Sequence, residues 1–358
     1  MRLLTFFLAG CLAWAQGVSP SRSTPAPEYP RRVILDTDPG IDDAMAVLLA
    51  LQSPELSIEA ITVVAGNVPV ELGAANALKL VELAGRTDVI VAAGAAGPLQ
   101  RKLHTAEVIH GENGMGGVEL PAPGRRLDHR HAVQVIRDLV EANPGQVTLV
   151  PVGPLTNIAL AFLQYPELAA KTREIILMGG SAGAGNATPA AEANIFQDAE
   201  AAKVVFESGV PILMVDLTAC AQARLTQKHL AGLRQSTTPV AKFVAAIAEP
   251  YLAFAEKFGN NGAAIHDALA VGMAIDPSLA STLTPVHVEV ETKGEFTYGA
   301  TVVNRQLTVE RSEWRGDRFV LVDFPRIQPN AAYPAVVEGE RFVRLFLERI
   351  TREPAARK

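Results

Sequence analysis

The chain has 358 residues, 49% of them hydrophobic, 20% charged and 6% aromatic, with a formal net charge of −6. That mixture supports a large buried core and excludes a chain disordered throughout, a collagen-like repeat or a coiled coil. The acidic balance argues against a nucleic-acid partner, whose phosphates require a basic face.

Arg2 precedes an apolar run, residues 3–15, that ends in Ala13-Trp14-Ala15. One positive charge, a short apolar stretch and a small-x-small site read as a secretory signal peptide cut after Ala15. A rival reading takes Leu8-Ala9-Gly10-Cys11 as a lipoprotein box with Cys11 lipidated, but the apolar run continues through Leu12, Ala13 and Trp14. The protein is therefore expected to be exported, either periplasmic or secreted. Residues 16–30 are Pro-rich and read as a disordered linker, residues 31–350 as one domain, and residues 351–358 as a polar tail. No other segment is apolar for long enough to span a bilayer. The only cysteines are Cys11 and Cys220, so the mature chain has no intrachain disulfide and Cys220 reads as a small core residue.

From residue 31 onward, short β-rich runs alternate with helix-like stretches. Strands are expected at 32–36, 58–65, 89–92, 147–151, 174–178 and 210–215. Helices are expected at 42–51, 70–84, 132–142, 157–163 and 198–207. This alternation predicts an α/β fold, an open and mostly parallel sheet with helices on both faces. In such sheets ligands bind beyond the carboxyl ends of the strands. The alternation weakens after residue 220, where a helix-rich stretch to 274, a β-like region at 286–322 and a final amphipathic helix at 337–350 follow.

The sharpest chemical signal is the run Asp36-Thr37-Asp38-Pro39-Gly40-Ile41-Asp42-Asp43, four carboxylates within eight residues. It lies where a strand turns through Pro-Gly into a helix. No Lys or Arg occurs between residues 33 and 78. Acids in a first helical turn favour the macrodipole, but capping explains one or two carboxylates, not four. Crowded carboxylates resist ionising together, and a divalent cation with a taste for oxygen ligands, such as Ca²⁺, removes that conflict. The ligand spacing of an EF-hand is absent. His266-Asp267 offers a proton donor beside a further acid, and His110 sits in a Gly-flanked loop. Gly179–Gly185 is glycine-rich but lacks the dinucleotide-binding spacing. Asn186, Glu192 and Asn194 follow it and suit a polyhydroxylated ligand, although each Asn also suits a turn. The sequon Asn186-Ala187-Thr188 matters only in a eukaryotic host.

In family order and spacing, the Asp36–Asp43 segment, Ala65-Gly66-Asn67, His110-Gly111, Val152-Gly153-Pro154-Leu155-Thr156-Asn157, Met178-Gly179-Gly180, Asn186, Thr188-Pro189, Ala191-Glu192-Ala193-Asn194-Ile195 and His266-Asp267 resemble the calcium-dependent inosine-uridine preferring nucleoside hydrolases. The resemblance covers about residues 31–350. It implies cleavage of the N-ribosidic bond of a ribonucleoside by water. It implies a Ca²⁺ site formed by Asp38, Asp43, Asp267 and the backbone carbonyl of Val152, with Asp38 the general base for the water the ion holds. Asp42, Asn67, Asn186, Glu192, Asn194 and Asp267 would hold ribose hydroxyls. His266 would assist the departing base, His110 would shape the base side of the pocket, and Asp36 would support the loop from behind. It also implies a homodimer or homotetramer.

Two positions depart from the pattern. Ala193 stands where many relatives carry Phe, and Asn113 where an acid is common. Tyr251, Phe254 and Phe258 are candidate aromatic contacts for the base or simply core. Two alternatives stay open at this level: ribosyl cleavage with another leaving group, such as nicotinamide riboside, and a catalytically silent Ca²⁺-dependent nucleoside- or sugar-binding protein.

Overall fold

The structure is a computed structural model that describes residues 29–353. The signal segment, Cys11 and most of the Pro-rich linker lie outside the described residues, as does most of the polar tail. At the near end of the linker the Tyr29 hydroxyl donates to the Ile275 carbonyl at 2.9 Å.

Thirteen strands are described. They are β1 (Arg31–Thr37), β2 (Leu56–Val63), β3 (Ile90–Ala93), β4 (Val147–Pro151), β5 (Glu174–Met178), β6 (Ile212–Val215), β7 (Arg224–Leu225), β8 (Ala263–Ala264), β9 (Ala280–Val290), β10 (Thr301–Asn304), β11 (Arg311–Arg315), β12 (Arg318–Asp323) and β13 (Ala331–Val337). Nine form one sheet in the order β10-β9-β13-β6-β5-β4-β1-β2-β3. The seven from β3 to β13 run parallel, whereas β9 is antiparallel to both β13 and β10. The mostly parallel sheet expected from the alternation is present.

Strand periodicity sends neighbouring side chains to opposite faces. Val33 and Leu35 join one core cluster and Ile34 the other. Helices Ile41–Leu51, Val70–Leu83, Pro239–Lys257, His266–Ile275 and Gly339–Thr351 cover the first face. Helices Ala132–Ala142, Thr156–Gln164 and Ala199–Phe206 cover the second. With both faces covered, strand interiors such as Ile34, Leu35, Leu149 and Leu177 are fully buried. Cys220 is a buried free thiol.

Strand β13 was not expected. Its sequence, Ala-Ala-Tyr-Pro-Ala-Val-Val, has weak strand character, and Pro334 cannot donate to a ladder. Packing overrides both, because the register with β9 becomes irregular just after Pro334. The strand then lies parallel beside β6 and completes the sheet. The β-like region after residue 286 resolves into β9, β10 and a separate two-stranded ribbon of β11 and β12.

Candidate active site

Chain order runs outward from β1 in two directions, to β2 and β3 on one side and to β4, β5 and β6 on the other. The connections therefore diverge beyond the carboxyl ends of β1 and β4, the switch point where sheets of this kind bind ligands. The Val152 amide donates to the Asp36 carbonyl at 2.8 Å. This bond pins the end of β4 beside the end of β1 and places Val152 next to the Asp38 turn.

Asp43 is the best-anchored acid. It accepts from the Thr37 hydroxyl (2.6 Å), from the Asp38 and Gly40 amides (3.1 Å each) and from the Asn67 side-chain amide (2.9 Å). Asp38 Oδ2 accepts from the Asn67 amide at 2.7 Å, whereas its Oδ1 is buried with no partner. The Asp38 carboxylate is wedged between two glycines. A Cβ on Gly66 would stand 2.1 Å from Oδ2, and one on Gly153 would stand 2.4 Å from Oδ1. Only glycine at both positions admits the carboxylate.

Asp42 Oδ2 lies 3.1 Å from the Tyr251 hydroxyl, which is also 3.2 Å from the Ala264 carbonyl. Its Oδ1 lies 3.9 Å from His110 Nδ1. That ring nitrogen accepts from the Ile41 amide at 3.0 Å, which places the proton of the neutral ring on Nε2. The His110 and Tyr251 rings stack with centroids 6.5 Å apart. The small ribbon of β7 and β8 leads into the helix His266–Ile275 and delivers Asp267 to the same place. One carboxylate oxygen from each of Asp42, Asp43 and Asp267 falls within 4.8 Å of the others. The sequence reading put Asp38 with Asp43 and Asp267; in the structure the tight trio contains Asp42, and Asp38 stands beside it.

Burial, followed by mutual repulsion, pushes the carboxyls of Asp38, Asp43 and Asp267 above the ordinary range. Among the described residues no Lys or Arg forms an ion pair with them, and His110 opposes the rise at Asp43 only as a lesser cause. An all-oxygen, anionic, buried set with an orphaned oxygen at Asp38 fits a hard divalent cation.

The remaining expected residues are near but differently engaged. Glu192 accepts from the amides of Asn194 (2.9 Å), Gly180 (2.9 Å) and Ile195 (3.1 Å), capping the short helix Ala193–Gln197. Burial still raises its carboxyl to about 7 against these donors. The Asn194 side-chain amide donates to the carbonyls of Val152 (2.8 Å) and Met178 (3.2 Å). Asn186 is exposed, and its Oδ1 accepts from the Ala193 amide at 2.9 Å. Asp36 points away from the cluster. It accepts from Thr62 (2.6 Å) and from Asn157 (2.8 Å), and Asn157 in turn accepts from the Ala95 amide. Asp36 is thus a scaffold beneath the loop, and burial raises it to about 7.

Residues 33–342 match the family described as inosine-uridine preferring nucleoside hydrolase. The chain belongs to that family. It is 44% identical over 281 residues, 78% of its length and 88% of the relative's, to the pyrimidine-specific ribonucleoside hydrolase RihA of Shewanella sp. (strain MR-7). It is 39% identical over 320 residues, 89% of its length and 97% of the relative's, to the protein of the same name from Salmonella arizonae. Among solved structures, a plant nucleoside hydrolase, the PpNRh1 enzyme, superposes with a TM-score of 0.82 at 36% identity, covering 90% of this chain and all of the other. A purine-preferring ribonucleoside hydrolase from Gardnerella vaginalis superposes with 0.79 at 33% identity, covering 90% and 98%.

In this nucleoside hydrolase, His266 is partly exposed at the start of its helix, with Nδ1 buried and unpartnered. Burial lowers its pKa, opposed by Asp42. Tyr251, weighed with Phe254 and Phe258 for a base contact, is buried against Asp42 instead. Phe254 and Phe258 pair with ring centroids 5.0 Å apart, and Phe258 is largely exposed. Thr37, Gly66 and Gly153 stood within the motifs that carry the family resemblance, but sequence reasoning gave them no role in the site.

Proposed function

We propose that the protein hydrolyses the N-ribosidic bond of ribonucleosides, pyrimidine nucleosides foremost, with Ca²⁺ as its metal. The observation that carries this reading is the buried carboxylate cluster at the sheet's switch point, with one Asp38 oxygen left without a partner. The base preference is supported by the relatives named pyrimidine-specific at 38–44% identity. Asp38, Asp43 and Asp267, with the Val152 carbonyl, are the residues that would hold the ion, and Asp42 stands within reach. When bound, the ion supplies positive charge that lets these acids ionise together and acidifies a water.

The chain's own groups supply the rest. The unpartnered Asp38 oxygen takes a proton from the attacking water. The new C1′–O bond forms as the C1′–N bond breaks, and the electron pair of the latter leaves with the base. The transition state is oxocarbenium-like, so a ring of carboxylates stabilises it electrostatically. We assign Asp42, Asn67, Asn186, Glu192, Asn194 and Asp267 to the ribose hydroxyls. We assign His266, partly exposed at the start of its helix, to donate a hydrogen bond or proton to the departing base. Fixing the sugar against Asp38 removes much of the entropic barrier. We further propose export through residues 1–15, which N-terminal sequencing of the protein recovered from its own cells would test.

Ribose release from uridine, cytidine, inosine and adenosine, with Ca²⁺ and after chelation, tests the assignment. The expected result is pyrimidine-led release that collapses on chelation. No release from any of the four by folded, Ca²⁺-loaded protein would overturn it and favour another leaving group or a binding role.

A further inference from the structure

His110 enters the site on a segment with little regular structure to hold it. After the short helix Glu107–His110 the chain passes four glycines in seven residues, Gly111, Gly114, Gly116 and Gly117, all at positive φ. A segment of this kind loses much backbone entropy when it is ordered, so strong local bonds are needed to fix it. One side chain supplies most of them. Asn113 Oδ1 accepts from the Met115 amide at 2.9 Å and from the Gly117 amide at 3.0 Å. Its Nδ2 donates to the Val118 carbonyl at 3.0 Å and to Glu119 Oε1 at 3.1 Å. Both acceptor sites and both donors of the amide are therefore in use, and the two backbone donors fix which end is the oxygen. The Asn113 carbonyl in turn accepts from the fully buried Asn76 side chain at 2.9 Å, which ties the loop to the helix Val70–Leu83.

The loop closed in this way is seated on the turn that carries the acids. The Gly116 amide donates to the His110 carbonyl at 2.7 Å. A Cβ on Gly114 would stand 2.9 Å from the Pro39 carbonyl oxygen, and one on Gly116 would stand 2.8 Å from Pro250 Cγ in the helix Pro239–Lys257. Met115, between them, is buried in the core. His110 is thereby pressed over Gly40, where a Cβ would stand 2.6 Å from its Nδ1. That nitrogen is held by the Ile41 amide and lies 3.9 Å from Asp42 Oδ1. Each of these Asn113 bonds lies within the loop or on Asn76, so Asn113 reaches the site only through the backbone that carries His110. We infer that Asn113 is a positioning residue for nucleoside hydrolysis, setting the His110 ring against Asp42 and the Pro39-Gly40 turn. The inference rests on the proposed hydrolase chemistry, with His110 on the base side of the pocket.

The test is a double-mutant cycle on uridine hydrolysis, read beside the histidine ring NMR signals of the folded protein. Asn113→Ala should lower kcat/KM on the order of 10- to 100-fold, the upper end being what a misplacement of about 1 Å costs. In a His110→Ala background the same change should cost less than about twofold, because residues that act through one contact do not add. The His110 ring signals should shift in Asn113→Ala, while those of His287, on β9, stay in place. Where Asn113→Ala fails to fold, Asn113→Asp carries the same cycle, since it keeps the acceptors for the Met115 and Gly117 amides and loses only the donors to Val118 and Glu119. Equal losses in the two backgrounds would make Asn113 a general prop and overturn the inference, as would wild-type kinetics or unmoved His110 signals. The ring signals need no turnover. A wild type that releases no ribose from any nucleoside would therefore sink the hydrolase reading, while the His110 signals would still decide whether Asn113 places the ring.

Discussion

Replacing Gly153 by alanine isolates the placement of Asp38 from its chemistry. Gly153 has no left-handed backbone angle, so alanine adopts its conformation without strain. The added methyl would stand 2.4 Å from Asp38 Oδ1 and 2.9 Å from its Cγ, with Val64 Cγ1 at 3.1 Å. Restoring ordinary van der Waals separation moves the carboxylate oxygen by about 1 Å. A misplacement of that size costs on the order of 100-fold in rate, or about 2.7 kcal/mol of activation free energy. Gly66→Ala presses the other oxygen, 2.1 Å away, and should behave alike. The assay is initial-rate ribose release over a range of uridine concentrations, with thermal melting to confirm the fold. Gly232→Ala is the control, because it lies within the helix Gln227–Arg234 with open space around its Cβ. That change should raise stability by about 0.5–1 kcal/mol and leave kcat alone. A Gly153→Ala enzyme with kcat within about threefold of wild type, a difference of only ~0.6 kcal/mol, would refute the claim that Asp38 works from this wedge.

Asp38→Ala should lower kcat by about 100- to 10,000-fold with little change in KM, as loss of a general base does, whereas Asn194→Ala should raise KM as well; steady-state kinetics separate the two. Tyr251→Phe removes the hydroxyl 3.1 Å from Asp42 and should cost about tenfold in kcat/KM, the size of one lost hydrogen bond to a charged group; an unchanged value would make Tyr251 mere packing. Ca²⁺ at about 100 times its dissociation constant should stabilise the fold by about 2.7 kcal/mol, so chelation should lower Tm by about 4 °C for a domain of this size. Glu192, raised to about 7 by burial, binds its proton more tightly folded than unfolded. Its share of stability is full below the ordinary glutamate range and is lost as pH rises toward 7. Denaturant melts of chelated protein at pH 5 and 7 should therefore show a fall that Glu192→Gln makes shallower.

Much of the site was legible because its residues are local in sequence. Asp36, Asp38, Asp42 and Asp43 fall in one strand-turn-helix, and Pro39-Gly40 marks the turn. The strand-helix alternation from residue 31 likewise announces a parallel sheet with both faces covered, since periodicity and β-branched runs are short-range signals. Asp267 is different. It is more than two hundred residues from the others, and only the β7–β8 ribbon and the packing of its helix against Ile41–Leu51 bring it within reach.

What tertiary structure alone decided is the division of labour among the polar groups. Glu192 caps a helix, Asn194 holds the Val152 and Met178 carbonyls, and Tyr251 anchors Asp42 rather than facing outward. Each depends on which backbone donors and acceptors the fold leaves bare, and no residue type announces that in advance. Strand β13, with its mid-strand proline, formed because a parallel slot beside β6 and an antiparallel neighbour in β9 outweighed its propensity. The sequence by itself determined the chemistry on offer and the class of sheet, because both rest on residue type and short-range period. The meeting of Asp42 and Asp43 with Asp267 is a long-range event set by the packing of two helices, and two glycines small enough to admit the Asp38 carboxylate complete the site.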